Sequence, residues 1–448
     1  MWNNFIKSTA LSFCAVLLMA HSCDNNESKK NEELKEDVGD KLEKNEKPNE
    51  PLSFQFNGDY SNMWKQVDSL QQKGLYKSAL ERVELISKSA IETNNIPNIV
   101  RAVFYKLKYN QYLTEDDLVV ALDDLHKLGE SSEFPLKQII HSIKAQVYWS
   151  FYQNNRWRFY NRTQTVGFEN SDIRTWDLNR LLDQVNKNFM LSLSSPKELQ
   201  RIAARDFRDM LILHDDGKKE RPTLYDLLAH TALDYFENTE SSINRPSERF
   251  QVNGKEWFGN ADVFSKIDLS STDTMSNSWY AGKILKEATL FHLRDKEPEA
   301  LVDLELRRLR FARNRSVNDQ KESWYLSALE ELSKRYEKNK VNAEIIYYRA
   351  LFHESKDAAI EEDNEEHRWE KKKAIELCEN AMKLFPNTYG AGLCKELAAN
   401  IRMKNLTFTN EISLSKGKHG RILVSYRNIN ELHLRLVKVP WDFMYRES

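Results

Sequence analysis

Punctuation is what this 448-residue chain has least of: 13 glycines and 10 prolines. Such sparse turn chemistry disfavours a fold of many short strands and favours long helices. Charge of one sign is also missing. With 66 basic and 68 acidic residues the formal net charge is −2, without the basic excess by which a nucleic-acid binder holds phosphates. The sequence contains no HExxH, CxxC pair, P-loop, GxSxG or GxGxxG, so it offers no familiar route to metal, phosphate or acyl chemistry. The ten histidines are scattered. His214, Asp215 and Asp216 adjoin one another, but the following Gly217 and lysines read as a helix end, and Glu361/Glu362 sit in a charge run where solvation is the default. No catalytic, cofactor or metal residue is assigned, and the chain reads as a non-enzyme with no small-molecule substrate evident.

Only one long apolar run is present. Ser8 to Ala20 is too short to span a bilayer but suits the apolar region of an export signal. "LMAHSC" follows and resembles a bacterial lipobox, which implies a cleaved signal over residues 1–23 and a lipid on Cys23. Buried methylenes of such a lipid contribute about 0.8 kcal/mol each. Residues 24–52 are polar and charged, too poor in apolar side chains to fold, and read as a disordered tether. The expected location is therefore the cell envelope, on a membrane and leaflet the sequence does not specify. Of four cysteines, Cys378 and Cys394 lie beyond the signal and tether, either as a disulfide or as two buried thiols.

From residue 53 to 404 the apolar period is helical. Stripes run through Leu118/Ala121/Leu122/Leu125 with Gly129 as the stop, and through Leu136/Ile139/Ile140/Ile143/Val147. Others are Leu178/Leu181/Leu182/Val185/Phe189, Leu224/Leu227/Leu228/Ala232/Tyr235 and Tyr325/Ala328/Leu329/Leu332/Tyr336. Thr223 with Asp226 reads as a helix start. Ser195, Pro196 and Glu198 predict a capping box opening a long helix through Leu211. Gly74, Tyr76, Ala79 and Leu80, and later Ala374, Ile375, Cys378, Ala381 and Pro386, look like tetratricopeptide (TPR) helices, so the fold class is mainly α, a degenerate TPR-like solenoid. Residues 241–278 lack helical period and read as a loop insertion. From 405 to 448 the period drops to two, predicting three strands: "LTFTNEISLS", "GRILVSYRN" and "ELHLRLVKV". Three strands fall short of the roughly seven of an immunoglobulin-like sandwich, so an incomplete β-sandwich is expected.

"YWSFYQNNRWRFYNRT", Tyr148 to Thr163, interleaves seven aromatics with three arginines. Tyr148 and Phe151 continue a core stripe, and Trp157, Phe159 and Tyr160 are expected to pack on neighbouring helices with arginines across their rings. Trp157, Arg158 and Tyr160 are also the candidate surface for a partner or ligand.

Four blocks, in order, resemble the N-terminal region of Bacteroidetes-type bacterial alpha-2-macroglobulin-like lipoproteins. They are the aromatic stretch above, "RTWDLNRLLDQV", "PTLYDLLAHTALDYF" and "ISLSKGKHGRILVSYRNINELHLRLVKV". The resemblance implies a lipobox, a helical region and the first macroglobulin-type β domain of a protease-trapping protein. A CxEQ thioester motif, a bait segment and a complete macroglobulin domain are absent from these residues, so the expectation is a scaffold truncated before them. Its partners would be the membrane through Cys23 and other envelope proteins or further macroglobulin domains. The alternative is a glycan-binding helical-repeat lipoprotein of a nutrient-uptake complex, with Trp157, Trp257 or Trp279 as platforms.

Overall fold

The computed structural model describes residues 52, 58–113, 117–160, 172–210, 217–239, 250–270, 276–356, 369–411, 417, 419–435 and 437. The chain is mainly helical with a small two-stranded antiparallel sheet near its C-terminus. It forms two compact units that divide between Lys321 and Glu322. Cys23, expected to carry the lipid, residues 24–51 of the expected tether, His214, Asp215, Asp216 and Glu361/Glu362 lie outside the described residues. Leu52, the last residue of that expected tether, is backbone-paired.

The first unit opens with α1 (Ser61–Gln72), α2 (Tyr76–Glu92), α3 (Ile96–Leu113), α4 (Asp117–Ser131) and α5 (Leu136–Asn154). Gly74, at φ +73°, makes the left-handed turn between α1 and α2, a conformation that costs glycine little. Each of these helices packs on its neighbour in sequence. Gly129 does not end α4: the helix runs on to Ser131, and a β-carbon at Gly129 would stand 3.2 Å from the Ile140 side chain. The glycine is there because α4 and α5 approach closely. The α5 stripe is buried throughout, from Leu136 to Tyr152.

After α6 (Arg156–Tyr160) come α7 (Leu178–Ser192) and α8 (Pro196–Leu199). The long helix predicted from Ser195 is not formed. Ser195 sits at φ +62° without a side-chain cap, and the helix ends after one turn. Backbone pairing captures the chain: Leu52 N–H donates to Arg201 O, Ala204 N–H to Pro222 O, and Leu224 N–H to Ile202 O. Leu199, Ile202 and Phe207 are nonetheless buried, so the apolar stripe is real and the geometry that carries it is a bridge and a 3₁₀ turn.

The unit continues with α9 (Gly217–Glu220), α10 (Leu224–Phe236), α11 (Ala261–Phe264), α12 (Asn277–His292) and α13 (Glu299–Arg315). Thr223 and Asp226 form the reciprocal capping box of α10. The described part of the 241–278 insertion is packed rather than open: Val252, Trp257, Phe258, Phe264 and Ile267 are buried.

In the second unit are α14 (Lys321–Arg335), α15 (Asn342–Lys356), α16 (Glu370–Leu384) and α17 (Tyr389–Arg402). Ala374, Cys378 and Ala381 of α16 meet Cys394, Leu397 and Ala398 of α17 in one apolar cluster. The cysteines are free thiols, both buried. Strands β1 (Asn405–Asn410) and β2 (Ile422–Arg427) pair from Asn405↔Arg427 to Asn410↔Ile422. Of the third strand expected over Glu431–Val439, the described residues Glu431–Arg435 carry no strand. Asn428 explains why. It sits at φ +56°, and its side-chain amide donates to Ile401 O and Met403 O, so the chain after β2 is fastened to the end of α17. Without a ladder neighbour, an alternating pattern alone does not make a strand.

Candidate functional site

The aromatic stretch divides at the end of α5. Tyr148, Trp149, Phe151 and Tyr152 are buried, and Phe159 of α6 packs edge-on to Phe151. Trp157 does not pack as expected: it is 67% exposed, with the Arg158 guanidinium 5.1 Å from its ring centre. An amphipathic five-residue turn offers too little apolar surface to bury both rings, and Phe159 takes the inward place. The Tyr160 side chain lies outside the described residues. Trp257 cannot be a sugar platform, being enclosed by Phe250, Phe264 and Phe311. Trp279 is half-buried, and its indole N–H donates to Leu269 O.

Tyr148 instead forms the floor of a cleft of about 250 Å³ between α4, α5 and α7. Asp123 and His126 of α4 line one wall, Arg180 and Gln184 of α7 the other, and Trp176 joins Tyr148 beneath. Asp177 places the second wall by capping α7, accepting from Arg180 N–H at 2.8 Å. The Arg180 guanidinium lies 4.6 Å over the Trp176 ring, and Tyr148 meets the same indole at 5.5 Å. Lys144 Nζ donates to His126 Nδ1 at 2.9 Å, which leaves the imidazole proton on Nε2 to donate to the Tyr148 hydroxyl at 3.1 Å. Burial first, then the Lys144 charge, hold the His126 pKa below its ordinary 6.5. Burial pushes the Tyr148 pKa up to about 12. The histidine is therefore a neutral hydrogen-bond relay, and the tyrosine keeps its proton. Sequence reading missed the cleft because its walls come from helices more than 50 residues apart.

A second polar constellation joins α10, α12 and α13. His292 lies between Asp226 Oδ1 at 2.9 Å and Asp295 Oδ2 at 2.6 Å, and both ring nitrogens donate. Burial opposes its charge, but the hydrogen bond and charge of Asp226, then those of Asp295, raise its pKa above 6.5. Arg307 donates to both oxygens of Glu237, to Asp234 and to His230 Nδ1. Burial, then Arg221 and Arg307, drive the His230 pKa well below 6.5. Asp226 and His292 are almost fully buried, while Asp295 and Asp234, with side chains 36% and 65% exposed, carry the network to the surface. Among the described residues no group of three or more His, Cys, Asp or Glu side chains is placed to hold a metal ion.

The ribbon of β1 and β2 presents a third feature. Directly paired residues share a face, so Leu406, Phe408, Ile422, Val424 and Tyr426 lie together. Phe408 is 45%, Ile422 59% and Tyr426 68% exposed. The other face carries Asn405, Thr407, Thr409, Ser425 and Arg427, with Leu423 as its one large apolar residue. Among the described residues, no helix is long and apolar enough to cross a membrane. Comparison with protein-family models, with curated proteins and with solved structures returned no match.

Proposed function

We propose that this chain is a lipid-anchored, non-catalytic scaffold of the cell envelope, held by a lipid on Cys23 and a polar tether. In this reading its helices form a TPR-like array, and its C-terminal ribbon belongs to a macroglobulin-type sandwich of the protease-trapping kind. The observation that carries it is the amphipathic ribbon. A two-stranded sheet with a solvated apolar face is marginal in water and gains stability when a second β-layer covers it. The covering partner is then further macroglobulin-type β-structure of the envelope. Photo-crosslinking in cells from Phe408→benzoylphenylalanine should give an adduct whose peptides map to β-strands of one envelope protein. The same probe at Thr407, on the polar face, should give none. Equal labelling from both positions, or no adduct at either, overturns the reading.

The exposed Trp157 beside Arg158 favours a second reading, a glycan-binding lipoprotein of a nutrient-uptake complex. Polysaccharide retardation in affinity gels that is lost in Trp157→Ala would favour it over the scaffold.

A further inference from the structure

We propose that a second cleft, lined by α2, α3 and α4, binds a free medium-chain fatty acid, with the alkyl chain on its apolar floor and the carboxylate at its lysines. This does not rest on the scaffold reading. The cleft holds about 310 Å³. An engineered apolar cavity of roughly 150 Å³ accepts the six carbons of benzene, so the same packing gives room for about twelve carbons here. The apolar lining is Ile91 of α2, Val103 and Leu107 of α3, and Ala121, Leu125 and Leu128 of α4. Val103, Ala121 and Leu125 are buried, whereas Ile91 is 51% exposed, which gives the cleft an apolar floor and an apolar lip.

Helical spacing orders the polar groups. On α4, Ala121, Leu125 and Leu128 form one row, and Asp124, Lys127 and Ser131 form the row beside it. Asp124 and Lys127 are exposed, so the polar row faces water while the apolar row faces the interior. Lys106 flanks the Val103–Leu107 row of α3 in the same way. Among the described residues, neither the Lys106 nor the Lys127 ammonium has an ion pair or hydrogen bond. Asp124 is the one carboxylate of the lining, so a single positive charge is left over, and a singly charged anionic head balances it. No aromatic residue lines the cleft, which therefore lacks the stacking face a sugar or base would use. Twelve residues line it, against roughly 20–30 a side in a stable protein interface. A single aliphatic chain with a carboxylate end is what fits.

Calorimetric titration of the full chain with octanoate, decanoate, dodecanoate and tetradecanoate reads the floor. Each added pair of methylenes, half-buried in an open cleft, should tighten binding about fourfold, equivalent to about 0.8 kcal/mol. The gain should stop at dodecanoate. Decyltrimethylammonium, of equal chain length and opposite charge, should bind at least about tenfold more weakly than decanoate. Lys106→Glu combined with Lys127→Glu should invert that preference, and Phe408→Ser, on the apolar ribbon face, should leave it unchanged. Should the double variant misfold, the chain-length plateau and the head preference on the native chain still decide. Equal binding of the two heads, a gain that continues to tetradecanoate, or absence of heat with dodecanoate at about 1 mM overturns the proposal. So does binding that is lost in Phe408→Ser, or binding to phosphatidylglycerol vesicles in place of the free acid.

Discussion

Replacing Asp226 by asparagine removes one charge from an almost fully buried ion pair of the first unit. Its Oδ2 accepts from the Thr223 N–H at 2.9 Å and hydroxyl at 2.7 Å, while Oδ1 accepts from His292 Nε2 at 2.9 Å. Asparagine retains one acceptor, so the helix cap weakens by about 1 kcal/mol at every pH. The ion-pair loss is larger and depends on pH. Breaking a buried pair from one side costs about 3–5 kcal/mol when the remaining charge loses all compensation. His292 keeps Asp295 Oδ2 at 2.6 Å, which caps the loss near the lower end of that range. His292 has its folded pKa raised above 6.5, so stabilisation by Asp226 is complete below the unfolded value and fades as pH rises through the folded one. The expected deficit is thus about 3 kcal/mol below pH 6 and about 1 kcal/mol in the alkaline range. Taking variant minus wild type cancels His230, whose depressed pKa lowers acid stability in both proteins. Hydrogen exchange of peptides from Leu224–Phe236, followed in urea across that pH range, reads the local free energy without assuming one transition for two units. A deficit that is flat with pH, or that grows toward alkali, would refute the assignment of a charged His292.

Other substitutions test packing and the relay. A β-carbon at Gly390 would fall 2.4 Å from the Glu344 backbone nitrogen, so Gly390→Ala should destabilise α15–α17 by about 1–3 kcal/mol, read by hydrogen exchange in those helices. Lys144→Met removes a cation from His126 Nδ1; the imidazole pKa, followed by NMR titration, should rise toward 6.5, and an unchanged value would disprove the contact. Arg307→Met should cost about 3–5 kcal/mol, since it strands Glu237, whose pKa burial already raises. The loss should be smaller at acid pH, where Glu237 takes a proton.

Local chemistry was legible and long-range chemistry was not. The α5 and α7 stripes and the Thr223–Asp226 cap involve neighbours within a turn or two, and the structure places them as their spacing predicts. Ser195 failed because its cap pattern competed with backbone partners at Pro222 and Leu224, invisible to a local window. Gly129 read as a stop since sequence cannot show the Ile140 methyl against it. Leu432 and Leu434 alternate like strand residues but found no ladder. Neither polar cluster carries a motif: Asp226 and His292 are 66 positions apart, and only the pairing of α10 with α12 joins them.

Arg308, on α13, sets a condition on the insertion before α12. Its guanidinium donates to the carbonyls of Trp257 and Gly259 and covers the Phe264 ring, while Glu305, one turn earlier, accepts from Ala261 N–H. A cation with 1% exposure has almost no water to fall back on. Shortening the 250–264 segment would therefore strip Arg308 of both carbonyl acceptors inside the protein, even with α13 and its Glu305 carboxylate at 3.6 Å untouched. Grafting or deleting that segment should succeed only when position 308 changes with it, which makes helix and insertion a single exchangeable cassette.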